Sequence, residues 1–200
     1  MNMKIWFLNT LLLVSFGLMA QSKVSNFTEI EIDGPLIVEL VAGEQPGVTV
    51  LKGENQVSWE VNGASLVVMA RYRKNQDTPE IRVTVTQLEA LETTGSVIIN
   101  GNGVFASRNM DLTVGSQSIV ALEVDAEDLD VKVGGQSVLT LSGNADDFDL
   151  SLDNQSIVNA EDLKSGVINV QANHQSIANV NSSGAKLTKL VNNQSVVVEK

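Results

Sequence analysis

Five serines recur at regular spacing in the C-terminal half of this 200-residue sequence, and each is a candidate nucleophile. They lie in the dipeptides Gln117-Ser118, Gln136-Ser137, Gln155-Ser156, Gln175-Ser176 and Gln194-Ser195. A serine nucleophile needs a positioned base, and the one histidine, His174, lies beside this column. Alternate residues of a strand lie on the same face, however, and Ser118 is two and four residues before Val120 and Leu122. We therefore expect the serines to point inward and to form hydrogen bonds between repeats.

The same parity places the glutamines outward, together with the residue two positions later. Stacked amides stabilise a repeat structure along its axis, whereas an exposed apolar column is typical of a contact surface. We therefore predict a binding surface in this outward ladder. Its residues are Gln117, Ile119, Gln136, Val138, Gln155, Ile157, Gln175 and Ile177. The alternative is that the parity is reversed and the apolar column is core.

A second outward ladder is acidic. Asp111, Asp130 and Asp149 lie six residues before successive glutamines. Calcium would relieve the repulsion between stacked carboxylates, but the glycine-rich nonapeptide of calcium-binding β-rolls is missing. We therefore expect no cofactor and interpret the ladder as a solvated face, with calcium as the alternative.

These side chains must be positioned by a repeat, because the glutamines are spaced by 19, 19, 20 and 19 residues. Apolar residues alternate within each unit, as in Leu129, Val131 and Val133, which is the period of a strand. The pair before each glutamine, such as Gly134-Gly135, is suited to the positive φ of a corner. The extra residue is expected near Lys164-Ser165-Gly166. A strand-only unit of this length buries its apolar face by stacking, which predicts an all-β, parallel β-solenoid.

Residues 21–92 are strand-rich but lack the repeat, so we interpret them as irregular first turns or a cap of the same domain as the regular turns over 93–200. Gly95-Ser96-Val97 is a candidate degenerate copy of the repeat. The cap region contains Trp59 and a basic-aromatic cluster, Arg71-Tyr72-Arg73. For that cluster we favour a strand end at the surface over a glycan or anion site.

Residues 1–20 are expected to be a secretory signal, with Lys4 before an apolar run and Ala20 at the cleavage point. The run is too short for a membrane span, so we expect no integral span after cleavage. The chain has no cysteine, which removes disulfides and a lipoprotein anchor. Loss of Lys4 changes the net charge from -11 to -12. This acidity argues against nucleic acid and acidic membrane surfaces as partners.

The sequence resembles a known family at three places: the strand and turn from Phe27 to Gly34, the strand Leu36-Ile37-Val38-Glu39-Leu40, and the segment from Gly95 to Gly101. The Gln-Ser repeats complete the match. The family is the auto-transporter adhesin head domain, also called the GIN domain, found in exported proteins of Bacteroidetes-like bacteria. The resemblance implies a single-stranded right-handed β-helix and supplies no catalytic or binding residue.

We therefore expect a non-enzymatic protein of the cell envelope, periplasmic, surface-attached or secreted. It would present an adhesin-like β-helical scaffold to an unidentified protein or glycan, and an oligomer is compatible with the sequence. The alternative is a carbohydrate-active β-helix enzyme of the polysaccharide lyase or hydrolase type. Such an enzyme needs carboxylates and aromatic platforms in a cleft, whereas the repeats contain just Phe105 and Phe148 as aromatic residues.

Overall fold

The computed structural model describes residues 22–23 and 25–200, so the expected signal at 1–20 lies outside the described residues. The described part is all-β, without a helix, and winds into a parallel β-solenoid of about six turns, which confirms the predicted fold class. None of its segments is a helix that could cross a membrane. The strands are β1 (Ser22–Lys23), β2 (Glu29–Asp33), β3 (Leu36–Ala42), β4 (Gly47–Lys52), β5 (Val57–Asn62), β6 (Ser65–Ala70), β7 (Glu80–Val85), β8 (Ala90–Thr94), β9 (Val97–Val114), β10 (Ile119–Val133), β11 (Val138–Leu152), β12 (Ile157–Ala172), β13 (Ile177–Val180), β14 (Lys186–Val191) and β15 (Val196–Glu199).

The strands build two faces that share one core. The first face has the order β1-β4-β7-β3-β9-β10-β11-β12-β13-β15. The second face contains β5, β6, β2 and β8, then the C-terminal parts of β9 to β12, and finally β14. Each long strand contributes to both faces. In β10 the inward-outward alternation breaks at the exposed pair Glu127-Asp128, between buried Ala126 and Leu129.

The N-terminal turns are not stacked in chain order. The turn made by β2 and β3 lies between the turn of β6 and β7 on one side and the turn of β8 and β9 on the other. Strands β4 and β5 then pair antiparallel to β7 and β6. Two antiparallel strands thus cover the N-terminal end of the parallel stack.

Each of the five corners that carry the Gln-Ser dipeptide holds two consecutive residues with positive φ, and the second of them is the repeated glutamine. The pairs are Ser116-Gln117, Gly135-Gln136, Asn154-Gln155, His174-Gln175 and Asn193-Gln194. The sequence prediction placed the positive φ one residue too early, because composition does not reveal the phase of a turn. A glutamine with positive φ costs about 1 kcal/mol or more. We therefore expect its side chain to make a stabilising contact that offsets this cost.

The core is one continuous apolar interior between the two faces. It includes Phe27, Phe105 and Phe148, each almost fully buried. Val97 is buried and its neighbour Ile98 pairs with Ile119, so the Gly95 segment is indeed a degenerate copy of the repeat. The predicted site of the extra residue was wrong. Thr140 pairs with Asn159 and Ser142 with Asp162, which places the insertion at Ala160-Glu161 inside β12.

Candidate functional site

An unbroken column of branched apolar side chains runs along the outside of the first face. Ile119 is half exposed, at 50%, so the parity predicted from the sequence is right and the reversed alternative is wrong. The pairing register extends the column over seven strands of the first face, through Ile37, Ile98, Ile119, Val138, Ile157, Ile177 and Val196. At the N-terminal end Ile37 pairs with Glu80, where the apolar column stops.

Sequence reasoning missed Ile37 and Ile98 as members of this column because their turns lack the Gln-Ser dipeptide. A signal was present, since each isoleucine lies three residues after a corner glycine, Gly34 or Gly95. Both glycines have positive φ, and a Cβ on Gly34 would lie 2.0 Å from the Ala70 carbonyl oxygen. The corner glycine is therefore required by the stacking of turns, and it sets the phase of the isoleucine.

The five glutamines form a continuous amide ladder next to the apolar column. The side-chain amide of each of the first four donates from Nε2 to Oε1 of the next glutamine along the chain. The distances are 3.3 Å for Gln117 to Gln136, 3.0 Å for Gln136 to Gln155, 3.0 Å for Gln155 to Gln175 and 3.1 Å for Gln175 to Gln194. All five side chains are exposed and line a shallow groove of about 770 Å³.

A third column on the other side of the apolar column is also uncharged. Its members are Asn100, Ala121, Thr140, Asn159, Asn179 and Val198. Asn179 donates to Asn159 Oδ1 at 2.7 Å, which adds a short amide ladder. We call the three columns together the corner strip. In the strand of Ile37 the corresponding position is Glu39, which pairs with Asn100 and forms an ion pair with Arg82. The strip is therefore free of charge from Ile98 to its C-terminal end, although the whole chain carries -11.

The serine column is structural. Ser118, Ser137, Ser156 and Ser176 are fully buried, which confirms the predicted inward orientation. Ser118 Oγ lies 2.7 and 2.8 Å from the Gly115 and Gly95 carbonyl oxygens, which share its single proton, and Ser176 Oγ donates to the Asn173 carbonyl at 2.6 Å. Ser156 Oγ donates to the Val133 carbonyl at 3.0 Å, and Ser137 Oγ accepts from the Ser118 amide at 3.2 Å. All four hydroxyls are therefore engaged by backbone groups.

His174 forms its contact elsewhere, with the carboxylate of the neighbouring turn. Nδ1 lies 2.5 Å from Asp153 Oδ1, and both side chains are exposed. This hydrogen bond lowers the pKa of Asp153, helped by the Asn154 backbone amide. The imidazole therefore supports the corner, and the contacts do not form a serine-histidine pair.

The acidic ladder is a true register column. Asp130 pairs with both Asp111 and Asp149, and the column continues to Asn169, which donates to Asp149 Oδ1 at 2.7 Å. Burial raises the pKa of Asp130, and the charges of Asp111 and Asp149 raise it further. Within the part of the chain that the structure describes, no three His, Cys, Asp or Glu residues are grouped so as to hold a metal ion. The ladder carries like charges side by side on the second face.

A putative adhesin from Bacteroides fragilis NCTC 9343 superposes with a TM-score of 0.75 at 14% identity, covering 90% of this chain and 92% of that one. A putative adhesin from Parabacteroides merdae ATCC 43184 gives 0.70 at 15% identity, with coverage of 90% and 95%. A protein from Parabacteroides distasonis ATCC 8503, described as a putative lipid binding protein, gives 0.60 at 15% identity, again covering 90% and 95%.

Superpositions of this quality at such low identity show a shared fold and nothing beyond it. The comparison with curated proteins gives no match. The family model, in contrast, matches residues 26–198, and its description is "Putative auto-transporter adhesin, head GIN domain". That range holds every turn of the solenoid and the whole corner strip, so the chain belongs to the auto-transporter adhesin head GIN domain family.

Proposed function

We propose that this chain is a non-enzymatic, exported, adhesin-like scaffold that contacts a protein or glycan of the cell envelope through the corner strip. The observation that carries the proposal is the apolar column over seven strands, with Ile119 at 50% and Val196 at 48% exposure. Outward positions of a solvated sheet are normally polar. A contiguous apolar strip on such a surface is typical of a contact site.

The uncharged flanks support the same function. Charged residues are depleted at the centre of protein interfaces because their desolvation is costly. The acidic residues of this chain are instead concentrated in other columns, such as Asp111, Asp130 and Asp149. A partner can therefore approach the strip from Ile98 onward without removing water from a carboxylate.

The size of the strip indicates weak individual contacts. Seven strands spaced by about 4.8 Å and three columns spread over four residues give roughly 29 by 15 Å, or about 400 Å². A stable interface buries about 800 Å² on each partner. The strip alone would thus bind weakly, and strong attachment would come from several copies acting together. This is the behaviour expected of an adhesin-like protein displayed in the periplasm or on the cell surface.

A carbohydrate-active enzyme is the alternative, and the described residues offer it less support. The serine hydroxyls are buried against backbone carbonyls, and His174 contacts Asp153. The aromatic residues of the regular turns, Phe105 and Phe148, are core. A strip without stacking platforms or a general base favours binding over bond cleavage.

The test is a binding screen of envelope proteins and neutral glycans with the protein and a variant in which Ile119, Val138, Ile157 and Ile177 are threonine. Threonine keeps the branched shape that strands prefer and removes the apolar surface. The matched control changes Lys132, Ser151 and Gln171, outward residues of one register column of the second face, to threonine. We expect the strip variant to fold and to lose a partner that the parent and the control retain.

Equal binding by all three proteins would refute the strip as the contact surface. Turnover of a glycan by the parent, measured as new reducing ends, would refute the non-enzymatic assignment. Circular dichroism of each variant separates loss of binding from loss of fold.

A further inference from the structure

The basic-aromatic cluster lies in a loop that occupies a distinctive place in the stack. Residues 71–79 connect β6 to β7, the first turn of the parallel stack, and thus stand at the corner that Gly34-Pro35 and the glutamines occupy in later turns. The Ile37 amide donates to the Pro79 carbonyl at 3.0 Å. The sequence interpretation of a strand end was therefore incomplete, because the cluster begins a long corner loop at the N-terminal end of the corner strip.

One buried residue holds both ends of this basic loop. Gln56 is 7% exposed, and its carbonyl accepts from the Arg71 amide at 2.9 Å. Its side-chain Nε2 donates to the Asp77 carbonyl at 3.1 Å. Burial of a glutamine amide is costly unless it is hydrogen-bonded, so this anchor fixes where the loop leaves and rejoins the sheet.

The cations between these anchors are exposed and have no carboxylate partner among the ion pairs of the described residues. Those ion pairs involve Lys52, Arg82, Arg108, His174, Lys189 and Lys200. The loop's own carboxylate, Asp77, is engaged by Lys52 at 3.0 Å. Arg71, Arg73 and Lys74 thus present three uncompensated positive charges in a chain of net charge -11.

Tyr72 stands between the two arginines and is 76% exposed. A phenol ring that projects into water is a stacking surface with a hydrogen-bonding tip. Guanidinium groups bind planar or tetrahedral oxyanions with paired hydrogen bonds. The loop therefore combines oxyanion donors with a platform for a ring.

We propose that the basic loop, residues 71–79, binds an anionic polysaccharide through its carboxylate, sulfate or phosphate groups, with Tyr72 against a sugar ring. The other residues exposed in the loop are polar, so it has no apolar side chain to insert into a bilayer. Binding is local, because the acidic remainder of the chain repels polyanions. This site is separate from the corner strip and does not depend on the function proposed for it.

The test measures binding of the whole chain to polygalacturonate, dextran sulfate and unsubstituted dextran at low and physiological salt. The loop variant carries Arg71→Gln, Arg73→Gln and Lys74→Gln. The matched control carries Lys132→Gln, Lys164→Gln and Lys186→Gln, which removes the same charge elsewhere. We expect the parent and the control to bind at least one anionic polymer, the loop variant to bind it roughly tenfold or more weakly, and salt to weaken binding.

A separate Tyr72→Ser variant tests the platform, with an expected loss of severalfold for the polymer and none for inorganic sulfate, which has no ring. The proposal is overturned if the parent binds neither anionic polymer or if dextran binds equally well. It is overturned likewise if the loop variant and the charge-matched control lose the same affinity. It is also overturned if anionic phospholipid vesicles bind and the polymers do not. Retention of binding by the threonine strip variant would show that the two surfaces act independently.

Discussion

Gln155 donates from Nε2 to Oε1 of Gln175 at 3.0 Å, although 20 residues separate them and the other glutamines are 19 apart. The extra residue is absorbed at Ala160-Glu161 within β12, far from the corner. The amide ladder is therefore held in register by the stacking of corners, and the strand accommodates the irregularity. Gln155 also accepts from Gln136, so it is bonded on both sides.

Replacing Gln155 by alanine should destabilise the fold by about 1–2 kcal/mol. The loss comes from the two exposed amide bonds, because glutamine and alanine both carry the cost of φ 61°. Asparagine at the same position should cost less, because it tolerates this φ but is too short for the ladder. Urea unfolding followed by circular dichroism measures both values. Equal stability of the alanine variant and the parent would contradict a structural role for the ladder.

Neighbouring residues of β12 should respond very differently to threonine. Ile157 is partly exposed on the corner strip, so Ile157→Thr should cost less than about 1 kcal/mol. Val158 is fully buried, and Val158→Thr places a hydroxyl among apolar side chains at a cost of about 1–3 kcal/mol. The comparison of the two free energies of unfolding tests the inward-outward assignment directly. A larger effect at Ile157 would invalidate the strip.

Asp130→Asn should stabilise the protein at neutral pH. The pKa of Asp130 is raised above 3.8 by burial and by its acidic neighbours, so the folded state holds the proton more tightly than the unfolded state. The penalty is absent below about pH 3.8 and grows as the pH rises through the folded-state pKa. We expect the midpoint of thermal unfolding to rise by about a degree or two at pH 7.

The gain from Asp130→Asn should vanish in acid, below about pH 3.8. An exposed carboxylate outside the ladder, Glu54, serves as the control in a Glu54→Gln variant. A gain that increases as the pH falls would mean that Asp130 is stabilised as a carboxylate, contrary to the repulsion described here.

Alanine substitutions at two glycines distinguish the energetic cost of positive φ from the cost of a steric clash. Gly63 has φ +65°, and a Cβ there would meet no atom within 4 Å, whereas Gly143 has φ +104° and a Cβ would lie 2.0 Å from the Val124 carbonyl oxygen. Gly63→Ala should cost about 1 kcal/mol, and Gly143→Ala about 3 kcal/mol or more. Thermal unfolding of both variants gives the values, and similar losses would contradict the close stacking of turns at Gly143.

Much of the regular half could be predicted from the sequence because its signals are local. Alternation in Leu129, Val131 and Val133 reveals the inner face, and the parity of Ser118 with Val120 follows from it. The phase of the corner could not be predicted, since both the residue before each glutamine and the glutamine itself adopt positive φ. The polar run at Lys164 resembled an inserted turn, yet Ser165 pairs with Ala145 in normal register.

The N-terminal half was less predictable because its contacts are not local. Nothing near Ile37 shows that it will stack on Ile98 rather than on the next strand in the chain. The position of the loop around Tyr72 likewise depends on Gln56, which is distant in sequence and holds its two ends. Such relationships require the spatial order of the turns.

That order also constrains how the protein folds during synthesis. The turn of β2 and β3 is the first parallel turn to emerge, yet its two neighbours, β6–β7 and β8–β9, are made of residues that follow it. Both of its edges stay unpaired until those residues have been synthesised. Folding that keeps pace with synthesis therefore cannot add turns strictly from one end to the other, because the first turn to be made becomes an interior turn with later neighbours on both sides.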